Sequence, residues 1–423
     1  MIRLIEALNF RCLRYIRQPL DDFQILIGPN ASGKTTFLDV VGFMGDLLSK
    51  GLDKSISDRC KDIRDLFFLR QGDRFELAVE LEVPEERLRM LQPRQPFSVV
   101  RYEISIGIHE ASGEYRIFDE QVILQTHMSK LGRTEGSLFP SPPEPPGTIM
   151  QGRNVGSGNK RTVRKVYDGN DNFYSEVETR KGNGGWAPSI RLGPRKSALA
   201  NMPEDESKFP ISTWLRGTLI DGTQKLMLNS LALRQTSGPG QGRLFKPDGS
   251  NLPWVIEGLR DADMGRYRQW IEHLQTALPD IEDIITVELP DTRHRFLQLV
   301  YRGGLKVPSW TASDGTLRML ALTLPAYLPN FKGIYLIEEP ENGIHPMAME
   351  TVYQALKSVY GAQILLATHS TVILGCADPK EILCFKKDDN GATDIVSGLD
   401  HPALREWQGG LDLSDLYASG ILG

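Results

Sequence analysis

The sequence predicts an α/β protein: a mixed, largely parallel sheet carrying a phosphate-loop helix, an antiparallel β-meander, and a helical and β insertion, with no long coiled coil. Three observations carry this expectation. Ile25–Thr36 reads as an apolar strand, a glycine-bounded loop and a helix opened by hydroxyl residues. From Phe75 onward, apolar and polar residues alternate strictly. In the last third, short apolar runs lie between helical patterns, as in a parallel sheet.

In chain order, Leu4–Phe10 and Phe23–Ile27 read as two strands, with Arg14–Pro19 as the turn between them. A helix then runs to about Leu48, and Ser49–Arg64 reads as a charged surface connection. Phe75, Leu77, Val79, Leu81 and Val83 share one face of a strand, and Val99–Ile108 and Glu114–Leu124 extend the meander. Ser129–Ser157, with five closely spaced prolines from Pro140 to Pro146, predicts no packed element.

Val163–Tyr167, the turn Asp168–Asn170 and Phe173–Thr179 predict a hairpin. Its basic residues Arg153, Lys160, Arg161, Arg164 and Lys165 fit either a solvated edge strand or a phosphate-contacting patch. Ile211–Leu233, Trp254–Leu259 and Met264–Leu278 read as helices, with a glycine-rich connection over Thr236–Asn251. Ile284–Leu289 and Arg295–Tyr301 read as paired strands. Helices at Thr316–Tyr327 and Pro346–Tyr360 separate buried strands at Gly333–Ile337, Gln363–Ala367 and Glu381–Lys386. Three segments are expected: residues 1–128, an insertion over 129–310, and 311–423.

Composition is that of a globular chain, 40% hydrophobic and 24% charged. A net charge of -5 argues against a globally basic nucleic-acid coat. Four cysteines without a C-x-x-C pair fit a reducing compartment, and Cys376 and Cys384 read as small buried hydrophobes. With no signal-like N-terminus and no apolar run of spanning length, a cytoplasmic location away from membranes is expected.

Gly28-Pro29-Asn30-Ala31-Ser32-Gly33-Lys34-Thr35 fits G-x-x-x-x-G-K-[ST] in its expected strand–loop–helix context. Glycines let backbone N–H groups turn onto phosphate oxygens, and the following helix adds its positive dipole end. Lys34 is placed to reach the β- and γ-phosphates, and the Thr35 hydroxyl, followed by Thr36, to ligate Mg²⁺. Ile334–Ile337 then ends in Glu338 and Glu339, at the strand edge where α/β sheets hold their ligands. One carboxylate can hold the metal through water while the other orients the attacking water. Ser313-Asp314-Gly315-Thr316 opens a helix and fits either a second anion-binding element or ordinary capping. His369 follows the next strand. A GTPase would require N-K-x-D, and Asn159-Lys160-Arg161-Thr162 lacks the Asp.

Taken together, these motifs resemble those of ABC-type ATPases of the SMC/RecF/OLD kind, and within them the compact AAA-family ATP-binding proteins of bacterial defence and repair operons. Gly28–Thr35 matches the Walker A loop, Ser313-Asp314-Gly315 the ABC signature, Ile334–Glu339 the Walker B strand and His369 the switch histidine. Asp248–Pro253 also looks typical of the group. The similarity covers the two ends, about half the chain by its motif spacing.

The resemblance implies an ATP- and Mg²⁺-dependent ATPase with an ABC-type head. Gly28, Asn30, Ser32, Gly33, Lys34, Thr35 and Thr36 would hold the nucleotide, Thr35 and Glu338 the metal, and Glu339 would be the catalytic acid. His369 would sense the γ-phosphate, and Ser313 and Gly315 would touch nucleotide bound to a second subunit. Gln71 is the candidate metal-contacting Q-loop residue, with Gln121 and Gln125 competing. His345 falls on the D-loop where transporter relatives carry Asp, so dimer contact and structural roles both stand. The implied partners are a second copy or higher homo-oligomer and a separate effector, a nuclease or toxin of the same operon. No carboxylate cluster of metal-site spacing follows His369, unlike the OLD nucleases with their Toprim domain. The alternative is a RecF- or SMC-like ATPase that binds DNA in repair.

Overall fold

The computed structural model describes residues 1–91, 96–128, 139–152, 154–156, 158–177, 188–329, 331–405 and 412–422. The chain forms two units, Met1–Asp21 with Gly28–Thr223 and Leu383–Arg405, and Asp22–Ile27 with Gln224–Ile382 and Glu406–Gly423.

The first unit is built on an eight-stranded sheet. Ile2–Phe10 lies between Leu13–Pro19 and Arg74–Glu82, followed across the sheet by Val99–Ile108, Tyr115–Gln125, Lys160–Lys165, Asp171–Phe173 and Ser189–Ile190. The pairings given for its strands are antiparallel. Leu13–Pro19 is therefore a strand and not the predicted turn. The reversal occurs at once after Phe10, with Asn9 and Arg11 at positive φ, and Leu13 and Ile16 are buried.

The helix Lys34–Lys50 packs through aromatic residues. Phe43 meets Phe10 and Phe75 at ring separations of 6.0 and 5.6 Å. Phe37 meets Phe385 at 5.5 Å. Phe385 belongs to the strand Ile382–Lys387, which pairs antiparallel with Thr393–Ser397. Burying each such ring is worth roughly 1.5–3 kcal/mol. The expected surface connection after this helix instead contains the short helix Leu52–Ser57, because Leu52 and Ile56 supply a buried face.

The predicted apolar face of the meander is buried, from Phe75 to Val83. Its polar face is buried too. Arg101, 3% exposed, reaches Glu6 at 2.8 Å, Glu80 at 3.1 Å and Glu103 at 2.6 Å. Segment Thr148–Gln151 covers this cluster: Ile149 O accepts from Arg101, and the Ile149 and Gln151 N–H groups donate to Glu76 and Glu103. The proline-rich stretch thus has no regular element here, yet it packs, because its backbone polar groups satisfy buried charges.

The hairpin forms at Lys160–Lys165 and Asp171–Phe173. Three of its cations are engaged inside the fold, unlike those of a solvated edge. Lys165 Nζ pairs with Asp171 at 2.9 Å and donates to Gly193 O, Lys160 Nζ donates to Glu176 O, and Arg161 donates to Gln121 and Gly152 O. Arg153 and Thr179 lie outside the described residues. The predicted helix Ile211–Leu233 resolves into the helix Pro210–Ile220, the strand Thr223–Leu226 and the helix Ser230–Arg234. The turn at Asp221–Gly222 ends the first of these.

In the second unit, Gly333–Glu338 pairs parallel with Ala362–Ala367, which pairs parallel with Phe23–Ile27. Thr223–Leu226 flanks Gly333–Glu338 on its other side. Helices Leu252–Ala262, Met264–Gln275, Asp314–Thr323 and Pro346–Lys357 carry the apolar faces, with Trp270 fully buried and its Nε1 donating to Thr323 Oγ1 at 2.9 Å. Ile281–Glu288, Arg295–Tyr301 and Lys306–Pro308 form a separate antiparallel sheet. The longest helix among the described residues is Lys34–Lys50, with 17 residues, so no long coiled coil occurs among them. None of their helices is long and apolar enough to cross a membrane. Cys384 is buried as expected, whereas Cys376 is exposed at the end of a short helix.

Glu176 illustrates how this fold titrates. It is buried at the start of the helix Pro210–Ile220, accepts from the Ile211 and Ser212 N–H groups, and burial pushes its carboxyl up to about 7. A carboxyl raised in the folded state contributes stability that is present below its unfolded value and lost as pH rises through the folded one. Wild-type stability is therefore expected to fall by up to about 3 kcal/mol between roughly pH 4.5 and 7 from this group. Urea unfolding of Glu176→Gln across that range should show a flatter pH profile. An unchanged profile would refute the assignment.

Candidate functional site

Loop Gly28–Lys34 is shaped by close approaches. A Cβ on Gly28 would lie 2.2 Å from Phe385 O, and one on Gly33 would lie 2.5 Å from Thr393 Oγ1. Both positions have positive φ, 146° and 112°, and Ala31 between them sits at 61°. Thr393 holds the loop from outside, its hydroxyl donating to Ser32 O at 2.9 Å. Lys34 is 8% exposed, and its ammonium folds back to donate to Gly28 O at 2.7 Å and Pro29 O at 3.0 Å. Ser32 Oγ is buried without a hydrogen-bond partner among the described residues. A buried ammonium, an unsatisfied hydroxyl and a glycine-shaped backbone curl fit a bound phosphate group. Asn30 and Thr35 are exposed and Thr36 half-buried at the start of the helix.

In the second unit the acidic pair ends the strand Gly333–Glu338. Glu338 is paired with Lys225 at 2.7 Å from the flanking strand. Glu339 adopts a positive φ of 48°, a conformation that costs a non-glycine residue on the order of 1–3 kcal/mol. It is held there because its N–H donates to Ala367 O at 2.8 Å and its side chain accepts from Asn342 Nδ2 at 2.6 Å. The turn leaves the Glu339 side chain exposed.

Glu341 joins this loop to the next. Its carboxylate accepts from the His369 N–H at 2.6 Å and from Thr368 Oγ1 at 2.8 Å. The Thr368 N–H in turn donates to Leu26 O, so the ends of three parallel strands are tied together. His369 Nδ1 shares a hydrogen bond of 2.9 Å with the Tyr417 hydroxyl on the helix Leu413–Ala418.

Ser313 caps the helix Asp314–Thr323, accepting from the Thr316 N–H at 3.1 Å. Asp314 pairs with Arg234 at 2.8 Å, and that hydrogen bond holds its carboxyl below the usual range. A Cβ on Gly315 would lie 2.5 Å from Gly343 O, so the glycine is what lets this helix meet the loop after Glu339. His345 caps the helix Pro346–Lys357, its Nδ1 accepting from the Met347 N–H. That is a structural role.

Gln71 is exposed in the loop after Phe68–Arg70, in the first unit. Its competitor Gln121 is buried and bonded to Glu103, Arg161 and Gln151 O, and Gln125 is also buried. Among the described residues no three His, Cys, Asp or Glu side chains converge as a metal cluster. A Mg²⁺ bound chiefly by phosphates and water needs only one or two protein ligands. The expected Thr35 hydroxyl and Glu338 carboxylate are of the right chemistry for them.

Sequence reasoning missed Glu341, Asn342, Lys225, Thr393 and Tyr417. The E-P-E-N run displayed Glu341, but only the backbone turn at Glu339 shows which way it faces. Lys225 was hidden in a segment read as helix.

The fold, a parallel sheet with acids and a histidine at its strand ends and, in the other unit, a phosphate-type loop, is similar to that of an SMC head domain. An Smc head bound to the C-winged helix domain of ScpA matches with a TM-score of 0.53 at 13% identity, over 93% of this chain and 97% of that one. An Smc head with an extended coiled coil, bound to the C-terminal domain of ScpA derived from Pyrococcus furiosus, gives 0.49 at 12%, over 99% and 98%. The SMC head domain from Thermotoga maritima gives 0.42 at 11%, over 94% and 98%. No curated protein matches by sequence. Residues 23–375 match the family described as "AAA domain, putative AbiEii toxin, Type IV TA system", and the chain belongs to that family.

Gly315→Ala should lower the urea-unfolding free energy by about 1–3 kcal/mol, because the methyl group meets backbone that cannot swing aside. Ser313→Ala should cost about 1 kcal/mol through the lost cap. A Gly315→Ala protein as stable as wild type would show that the close approach to Gly343 is not real.

Proposed function

We propose that this protein is an ATP-hydrolysing switch whose subunits associate around ATP–Mg²⁺, with Gly28–Thr35 of one copy and Ser313–Gly315 of another facing the same nucleotide. The observation that carries the reading is the clamp at the strand ends, where Glu341 fixes the His369 loop to the turn that presents Glu339. In this reading Lys34 exchanges its two carbonyl contacts for phosphate oxygens. Thr35 and Glu338 hold the metal, which neutralises phosphate charge when bound. Lys225 pairs with Glu338 and aims it. Glu339 accepts a proton from the attacking water, and His369, oriented by Tyr417, reads the γ-phosphate. Gln71, exposed and at a loop, takes the remaining metal contact.

The output is control of a separate effector, a nuclease or toxin, in an anti-phage system, with residues 129–310 as the partner-facing region between the head segments 1–128 and 311–423. The toxin–antitoxin description of the family and the protein partner in one Smc head structure support this. The DNA-repair alternative loses support because Lys160, Arg161 and Lys165 are spent on internal contacts.

Lys34→Ala should lose ATP binding, measured by calorimetry; retained affinity would show that the loop is misassigned. Glu339→Gln should bind ATP but hydrolyse about 10²–10⁴-fold more slowly and accumulate as a dimer on light scattering. Wild-type turnover would remove Glu339 from the mechanism. Ser313→Arg should bind ATP normally yet stay monomeric, and ATP-dependent dimerisation of that variant would overturn the shared-site reading.

A further inference from the structure

The polar face of the meander has a second row of charge that its own cations do not complete. Glu76, Ser105 and Asp119 lie directly opposite one another on three adjacent strands, and residues so paired share a face. Arg101 and Glu103 precede Ser105 on the same face of its strand. In their rows the guanidinium bonds three carboxylates; in the next no such bond occurs among the described residues. Glu76 is satisfied by Thr148 Oγ1 and the Ile149 N–H. Among the described residues the hydroxyl of Ser105, 2% exposed, and Asp119 Oδ1 have no hydrogen-bond partner. Arg164 and Arg161 offset part of the Asp119 charge, yet burial still pushes its carboxyl up.

This row floors a cleft of about 870 Å³, within the size range of small-ligand sites. The register slips between Ser105 and Ile106, so that Phe118 is an extra residue beside Asp119. Such a bulge re-aims a side chain, and here both Phe118 and Asp119 line the cleft. Phe118 stacks on Tyr167 at 5.5 Å and 6°, forming an aromatic wall. Asp73 and Glu110 add negative charge at the rim, against Arg74, which pairs with Asp73 and covers Phe118.

We propose that this cleft binds an alkylammonium group, seating the cation on Asp119 and Ser105 and its methylenes along Phe118 and Tyr167. The chemistry is that of a half-buried acid, with one oxygen buried, beside the edges of two stacked rings, which together favour a cation carried on an apolar stem. A free polyamine and a lysine side chain of a protein partner both present it. The site lies within the first unit and does not depend on the ATPase reading.

The test is calorimetric titration of the full chain, in buffer without nucleotide, with spermidine and with a lysine-rich peptide beside its fully acetylated form. Binding of spermidine identifies a polyamine site. Binding of the peptide, lost on acetylation, identifies a protein lysine. Either should weaken at least about tenfold in Asp119→Asn and be blocked in Ser105→Leu, as expected when a charged partner is removed or the floor is filled. Thermal melting of Asp119→Asn near the wild-type midpoint confirms that it folds. Absence of binding by both probes, binding unaffected by acetylation, or binding unchanged in Asp119→Asn would overturn the proposal.

Discussion

The level ending of three parallel strands is the constraint on which the second unit depends. Glu338 stands opposite Ala367, and Ala367 opposite Leu26, so the chain leaves all three strands at one edge. A one-residue slip would turn each strand's side chains to the opposite face. The edge is then locked by bonds beyond the strands: Glu339 N–H to Ala367 O, Thr368 N–H to Leu26 O, and the Glu341 carboxylate to two donors of the neighbouring loop. The two bonds to the Glu341 carboxylate are charge-assisted, and such bonds are about twice as strong as neutral ones. They offset the strain of a glutamate at positive φ and give the exposed Glu339 a defined origin.

The first unit obeys a different constraint. Its sheet buries charge on the face that alternation assigns to water, and one guanidinium among three carboxylates must neutralise it. Removing a single partner of such a cluster would strand buried charge at a cost of several kcal/mol. The cluster therefore demands that Glu6, Glu80, Arg101 and Glu103 keep their register, and that Thr148–Gln151 stay over them. Stability here is tied to a loop without regular structure, which explains how a proline-rich segment becomes part of the core.

These two constraints also explain what the sequence made legible. Apolar runs and glycine spacing are local signals, so the phosphate-type loop, the Glu338–Glu339 pair, the meander and the parallel strands could be read directly. Leu13–Pro19 was misread because its alternation is broken by Arg14, Arg17 and Gln18, and only pairing with Ile2–Phe10 stabilises it as a strand. The segment Ile211–Leu233 carries helical spacing throughout, but Asp221–Gly222 breaks it, and Lys225 then serves a strand beside Glu338. The basic run left two readings open because Asp171, Glu176 and Gln121, partners of three of its cations, are distant in spacing or on another strand. Long-range polar satisfaction leaves no periodic trace.

Two recognition elements on which the proposed switch relies, Lys34 and Ser313, are already satisfied within the chain. Lys34 spends its ammonium on Gly28 O and Pro29 O, and Ser313 spends its hydroxyl on its own helix. Engaging a nucleotide would thus exchange hydrogen bonds instead of adding them, and a typical exchange nets only about 0.5–1.5 kcal/mol per bond. The remaining drive would come from phosphate charge meeting a buried ammonium and a helix N-terminus. Because that drive is concentrated on the charge of the terminal phosphate, its loss on hydrolysis would remove most of the difference between the associated and separate states. A ligand moves an equilibrium only by its differential affinity for the two states. Self-satisfied recognition groups therefore suit a reversible switch better than a permanent dimer.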